Sequence, residues 1–337
     1  MTYEDRIAVF EKVGKSLAAI DGADFDALAF KVRNENPWFI PANVRMAIDG
    51  IVKMLSPEDL HRWAEAYDVV EVAHPKRVGV VMAGNIPLVG FHDLFCVLVS
   101  GHVAVIKPSS KDQVLTLFMI DLILKTEPRF AEYIVLAQQL KDIDAVIATG
   151  SDNSSRYFEY YFGKYPHIIR KNRTSCAVLS GFEQPEDLQL LGKDVFSYFG
   201  LGCRNVSKLY VPKGYEFPLL LDQWSSYGDV IMHHKYTNNY DYQKSILLVN
   251  REPFLDNGFI LLQESEKLVS PISVLYYEYY EHYEDLTRKA EVNRDKIQCI
   301  IGKMKPATIL FGQAQMPGLK DYADNVDTMQ FLLSLTN

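Results

Sequence analysis

Short apolar runs alternate with helix-period segments from residue 77 onward, and that alternation constrains the fold more than any other feature of this chain. Arg77-Val78-Gly79-Val80-Val81-Met82-Ala83-Gly84 reads as a buried strand that ends in a glycine turn, and residues 86–100 read as a largely buried helix with Pro87 near its start. Residues 102–106, 133–136 and 144–148 read as further strands, and residues 112–125 and 154–163 as the helices between them. Repeated strand–helix units imply a parallel sheet covered on both faces, whose ligands bind at the carboxyl ends of the strands. The pattern is that of a nucleotide-binding α/β domain.

The residues before that run are helical. Residues 3–17 and 41–55 carry apolar side chains at helical spacing, and Ser56-Pro57-Glu58-Asp59 has the form of an N-cap followed by proline at the first helical position. A helical cap or an oligomer contact is the expected use of this segment. A second α/β stretch begins near Cys176-Ala177-Val178-Leu179, runs through 187–198, Cys203 and Lys208-Leu209-Tyr210-Val211, and adds expected strands at 245–250, 258–262 and 272–276. The expected organisation is a helical segment with a Rossmann-like cofactor domain over 1–172, and a catalytic cysteine domain over 173–337 whose C-terminal segment can pack back on the first.

With 337 residues, 48% of them hydrophobic, the chain has material for one or two well-packed cores. Its 4 cysteines, Cys96, Cys176, Cys203 and Cys299, include no CxxC pair, which fits a reducing compartment and gives neither a zinc site nor a disulfide framework. The N-terminus lacks a basic segment leading into an apolar one, and no apolar run reaches bilayer length, so a cytoplasmic protein without membrane insertion is expected. A formal charge of -8 argues against a nucleic-acid partner and leaves room for a local basic pocket. His233-His234 has no further ligand at useful spacing, and the basic run at 167–173 reads as a solvated face or a phosphate contact.

Cys203 lies in Phe199-Gly200-Leu201-Gly202-Cys203-Arg204-Asn205, which runs directly into a strand. The glycines let the backbone turn tightly and clear bulk from around the sulfur, so a substrate carbonyl could reach it. By itself a free cysteine is usually a small buried hydrophobe. Three other segments add to it in order: Gly84-Asn85-Ile86-Pro87 between strand and helix, Val103-Ala104-Val105-Ile106-Lys107-Pro108-Ser109 as a strand ending in lysine, and Ala148-Thr149-Gly150-Ser151 as a strand ending in a small-residue turn.

In that order and spacing the four segments resemble the aldehyde dehydrogenase superfamily and, within it, the bacterial fatty-acyl-CoA reductases that feed aldehyde to luciferase. The C-terminal Phe311-Gly312-Gln313-Ala314-Gln315 and the run at 321–328 add to the closer likeness. The resemblance covers roughly residue 70 to the C-terminus. It implies a fold of two α/β domains, Cys203 as nucleophile, and Asn85 as the amide that joins the Cys203 N–H in holding an oxyanion, a role worth about 3–4 kcal/mol where such donors are fixed in advance. It also implies cofactor contacts from Lys107, Ser109, Ser110, Gly150 and Ser151, an acyl-CoA or aldehyde substrate with coenzyme A as the leaving or accepting group, and a homo-oligomer. Taken singly, Asn85 reads as a helix cap, Lys107 as a strand-end lysine reaching water, and the Gly150-Ser151 pair as an ordinary turn.

Departures from the superfamily pattern narrow the reading. Aldehyde-oxidising members carry a glutamate that activates water against the thioester, and alignment from Ser175 puts Arg170 at that position; without the base, a Cys203 thioester would resist water and still exchange with a thiol. NAD-preferring members often carry glutamate three residues after the ribose lysine; here Ser110 and Lys111 follow, which favours NADPH over NADH. The glutamate of the nicotinamide ribose would fall on Lys267 or, after a shift of one residue, on Glu266. The expected activity is NADPH-dependent reduction of an acyl-CoA to aldehyde through a cysteine thioester intermediate. A reductase of acyl phosphates and a catalytically silent binding or assembly subunit of the same fold are the alternatives.

Overall fold

The computed structural model of the chain describes residues 1–69 and 71–335. Their contacts divide into two compact units, Met1–Asn172 with Pro317–Asn337, and Arg173–Met316.

The first unit opens with four helices, α1 (Tyr3–Ala18), α2 (Gly22–Glu35), α3 (Pro41–Met54) and α4 (Pro57–Ala64). The start of α1 is fixed by reciprocal capping, the Asp5 N–H donating to Thr2 Oγ1 at 3.1 Å and the Thr2 N–H to Asp5 Oδ2 at 3.2 Å. Ser56 caps α4, with Pro57 at its first position, as the sequence predicts. Strand and helix then alternate through β1 (Arg77–Val81), α5 (Phe91–Ser100), β2 (Val103–Lys107), α6 (Gln113–Thr126), β3 (Ile134–Leu136), β4 (Ala145–Thr149), α7 (Asp152–Phe162) and β5 (His167–Arg170). The sheet has the order β3-β2-β1-β4-β5 and every described pair in it is parallel. The strand order reverses at β1, whose two neighbours are β2 and β4, and such a switch point is where open parallel sheets form a ligand crevice, here beside the carboxyl ends of β1 and β4.

The second unit carries β6 (Thr174–Val178), α8 (Pro185–Phe196), β7 (Val206–Pro212), α9 (Pro218–Gln223), α10 (His234–Asn250), β8 (Leu255–Asp256), β9 (Leu261–Glu264), β10 (Val274–Tyr280), α11 (Tyr283–Val292) and β11 (Ile297–Ile301). Its sheet has the order β11-β6-β7-β10-β9-β8, parallel except for the short β8–β9 pair. Trp224 is fully buried in this unit's core and its indole N–H donates to Leu188 O at 2.8 Å.

Four sequence expectations are corrected. Residues 245–250 belong to α10 and form no strand, because the Ile246-Leu247-Leu248-Val249 run is too short for periodicity to distinguish strand from helix; of these residues only Leu247 is buried. The helix expected from residue 86 begins at Phe91, after an irregular turn in which Leu88 takes φ 56°. The later strands lie at β9 and β10, a few residues beyond 258–262 and 272–276. The basic run at 167–173 is not a solvated face throughout: its first half is β5, and Arg170 is 3% exposed.

After the second unit the chain returns to the first with α12 (Thr328–Ser334). Leu319, Tyr322, Met329 and Leu332 join the same core as Phe10, Trp63 and Phe95. The Tyr322 hydroxyl accepts from the Trp63 indole N–H at 2.8 Å and meets the Tyr67 hydroxyl at 2.5 Å. Among the described residues no helix is long and apolar enough to cross a membrane. Since Leu332 is 0% exposed, Leu332→Ala leaves a cavity under α12 and is expected to cost about 2–5 kcal/mol of unfolding free energy, read from urea titration of the full chain.

Candidate active site

Within the first unit, the sequence-marked residues gather on one edge of the sheet. Asn85 is exposed in the turn after β1, Lys107 is exposed at the end of β2, Ser109 and Ser110 follow it, and Gly150 with Ser151 follow β4. Register aligns Val81 with both Lys107 and Ala148, so these three strand ends lie side by side. Parallel strands dictate this: each needs a crossover, and the crossovers all leave from the carboxyl edge.

Gly84 is required by packing. A Cβ there would run into the Ser109 side chain, so the Asn85 turn and the loop after β2 touch where a larger residue would part them. Asp112 holds the same two loops together by accepting the Leu88 N–H on Oδ2 at 2.8 Å. Burial pushes the Asp112 carboxyl up to about 8, against the Leu88 hydrogen bond and with help from Glu35. The end of α2 braces the loop from the other side, the Asn36 amide donating to Lys111 O at 3.2 Å and the Glu35 carboxylate accepting the Val114 N–H at 3.1 Å. Ser151 caps α7, its Oγ accepting the Ser154 N–H at 3.3 Å.

Arg170, at the end of β5, is buried and forms an ion pair with Asp93 of α5. Its second nitrogen donates to Thr328 Oγ1 of α12 at 2.9 Å. Burial opposes the guanidinium charge, but the Asp93 carboxylate outweighs it and holds the arginine above its ordinary pKa.

Cys203 belongs to the second unit, in the turn between α8 and β7. Tyr198, Phe199 and Gly200 take φ of 52°, 57° and 78°, so the chain leaves α8 through three left-handed residues before the turn. Only Gly200 adopts that conformation without a steric cost. Of the four cysteines Cys203 alone is not fully buried. Burial pushes Cys176 and Cys96 well above the ordinary thiol range and Cys299 up to about 11. Lys267 and Glu266 lie in the loop between β9 and β10, where the Lys267 N–H donates to Ser265 Oγ at 3.2 Å.

Sequence reasoning did not single out Asp112, Glu35, Asn36, Asp93, Thr328 or Asn205. Asn205 had a signal, since asparagine two residues past a glycine-flanked turn often bonds local backbone. The others bond partners far along the chain and leave no local pattern.

Two α/β units with parallel sheets, a helical N-terminus and a cysteine turn entering a strand define an aldehyde-dehydrogenase-like fold. Solved structures share it. Aldehyde dehydrogenase 21 from Physcomitrella patens, in complex with the reaction product succinate, is 14% identical at TM-score 0.65, over 99% of this chain and 84% of that one. A cysteine-to-alanine mutant of the P. syringae indole-3-acetaldehyde dehydrogenase AldA, in complex with NAD+ and IAA, is 13% identical at TM-score 0.68, over 91% and 74%. An E. coli NADP dependent enzyme is 12% identical at TM-score 0.67, over 92% and 77%. No match was found among curated proteins. The model of the acyl-CoA reductase (LuxC) family matches residues 3–210, and the chain belongs to that family. It is an oxidoreductase acting on aldehyde or acyl-CoA.

The Asp112 carboxyl carries a pH signature. Its folded-state pKa, about 8, lies above the 3.8 of an aspartate in the unfolded chain, so the folded state holds a proton that the unfolded chain releases. Its contribution to stability is therefore complete below pH 3.8 and lost progressively as pH rises toward about 8. Asp112→Asn removes the titration and is expected to take away most of a fall in stability that amounts to several kcal/mol across that window, measured as urea midpoints at several pH values.

Proposed function

We propose that this protein reduces an acyl-CoA thioester to the aldehyde, with Cys203 as nucleophile and NADPH as reductant. One observation carries the reading: in an acyl-CoA reductase chain, Cys203 is the cysteine that burial spares, and it sits in a tight turn at the head of a strand. The Cys203 thiolate attacks the thioester carbonyl, the coenzyme A thiolate leaves, and the acyl group rests on the sulfur. Asn85 supplies an amide for the oxyanion formed in that attack. Arg204, next in sequence, favours the thiolate over the thiol.

The P. syringae neighbour was captured with NAD+ and the E. coli neighbour is described as NADP dependent, which supports a nicotinamide cofactor for this chain. The residues at the first unit's sheet edge fit one. An exposed Lys107 next to Ser109 and Ser110 can bond ribose hydroxyls and a 2′-phosphate, and the Gly150-Ser151 turn brings α7's N-terminus to the crevice. When bound, the reduced nicotinamide supplies the hydride that turns the Cys203 thioester into aldehyde and thiolate.

Arg170 supports the reductive direction over hydrolysis. It stands where the hydrolytic glutamate falls on alignment from Ser175, and a buried guanidinium paired with Asp93 accepts no proton from water. The acyl group therefore waits for hydride or for a thiol.

Cys203→Ala is expected to abolish acyl-enzyme formation and aldehyde production, while Cys96→Ala retains both; a labelled acyl group trapped on another cysteine sinks the assignment. In the parent, an acyl-enzyme made without reduced cofactor is expected to persist in buffer and discharge on addition of coenzyme A. Rapid hydrolysis in buffer alone means that a different residue activates water.

Cofactor choice has its own test. NADPH is expected to bind more tightly than NADH, and Ser110→Glu to reverse the order by setting a carboxylate against the 2′-phosphate. Calorimetry that finds equal affinities in the parent removes this part of the reading.

A further inference from the structure

The Cys203 turn is gripped from two sides by buried side chains that the reaction as described does not use. Asn205, 2% exposed, accepts the Gly202 N–H on Oδ1 at 2.8 Å. Its amide nitrogen faces Ser197 O at 2.8 Å, Asp194 O at 3.1 Å and Val195 O at 3.4 Å. Those carbonyls close α8, where a helix leaves oxygens without partners and gathers partial negative charge. Ser175 on β6, 0% exposed, lies on the other side, with Oγ 3.0 Å from Cys203 O and 3.1 Å from Cys299 Sγ, and it accepts the Cys299 N–H at 3.3 Å.

We propose that Asn205 and Ser175 are positioning residues for the Cys203 nucleophile, fixing the Leu201–Gly202 and Cys203–Arg204 peptide groups on either side of it and covering the negative end of α8 with amide N–H. The proposal rests on the reading of Cys203 as nucleophile.

Both halves follow from chemistry. The turn leaves α8 through left-handed Tyr198 and Phe199, a conformation non-glycine residues hold only when their surroundings enforce it. Asn205 bridges that strained exit by bonding the helix end and Gly202 at once. Asparagine is the residue that suits: its oxygen must accept while its nitrogen donates, and the isosteric aspartate can only accept when ionised. An aspartate at 205 would turn a carboxylate toward three carbonyls and add negative charge beside the sulfur, which disfavours thiolate. The charged and titratable groups of this neighbourhood include Arg204, Asp194 and Cys299 and, against the Phe199 ring, His233. Asp194 turns its carboxylate away, to the Gly312 and Ala314 N–H groups at 2.6 and 3.0 Å. Burial lifts it to about 6 against those two bonds, so it is ionised at neutral pH and above.

The test uses the full chain as parent, Asn205→Asp and Ser175→Ala. Alkylation by iodoacetamide, mapped to Cys203 by mass spectrometry, is followed from neutral to alkaline pH beside kcat and KM for acyl-CoA reduction. Asn205→Asp is expected to slow Cys203 alkylation at neutral pH by about tenfold, move its midpoint to higher pH and lower kcat by at least that factor, with KM for the nucleotide unchanged. Ser175→Ala is expected to lower kcat about three- to tenfold, again with nucleotide KM unchanged. An alkylation rate and midpoint in Asn205→Asp equal to the parent's overturns the proposal. Should that variant not fold, as judged by circular dichroism, Ser175→Ala decides: parental alkylation and kcat overturn the proposal, and the stated loss at constant nucleotide KM supports it. Reductase activity surviving Cys203→Ala is a separate outcome, which removes the nucleophile reading on which this rests.

Discussion

Parallel pairing is the constraint from which the rest of the structure follows. In the first unit each strand runs beside neighbours of the same direction, so the chain cannot turn back on itself and must cross the sheet before the next strand. Every loop that leaves a strand's carboxyl end therefore emerges on one edge. Asn85, Lys107, Ser109 and Gly150 come from segments up to 65 positions apart, yet share that edge because β1, β2 and β4 are adjacent. The reversal of order at β1 parts two of those loops and leaves room for a ligand.

The strand–helix alternation was legible because its elements repeat a local signal: a few β-branched or apolar residues, a glycine or proline, then helical spacing. Where an apolar run was short, as at Ile246-Leu247-Leu248-Val249, that signal failed, since four apolar residues fit the buried side of either element. β5 and β11 were not read as strands; β5 carries His167 and Arg170 at its ends, which masks its apolar centre. Which residues end the strands could be read along the chain. Which side chains brace those ends could not, because Asp112 with Leu88, Arg170 with Asp93 and Thr328, and Ser175 with Cys203 are contacts across the fold.

Arg170 shows why such contacts matter. Removing a guanidinium and a carboxylate from water costs each several kcal/mol, and their attraction in the interior does little more than return it. The gain lies in specification. With Asp93 and Thr328 as partners, the arginine joins β5, α5 and α12, three elements far apart in sequence that must take one arrangement for all three groups to be satisfied. α5 follows directly from the turn that carries Asn85, so the network anchors the element on which that amide's placement depends. Arg170 thus gives the first unit a buried polar tie.

Cysteine reactivity in this chain is partitioned by solvation. Cys96 and Cys176 are fully buried, so a thiolate there loses its hydration and the fields of Arg170 and Lys208 return only part of it, and Cys299 likewise escapes only part of that penalty through Ser175 and the field of Arg204. Cys203 follows the exit from α8 through left-handed Tyr198, Phe199 and Gly200, and such a segment cannot be buried without side chains to take up its polar groups. Asn205 and Ser175 do so on the inner side of the turn, toward α8 and β6. The turn's strain, its hydrogen-bonded lining and its half-exposed sulfur therefore have a common origin in the abrupt passage from α8 to β7.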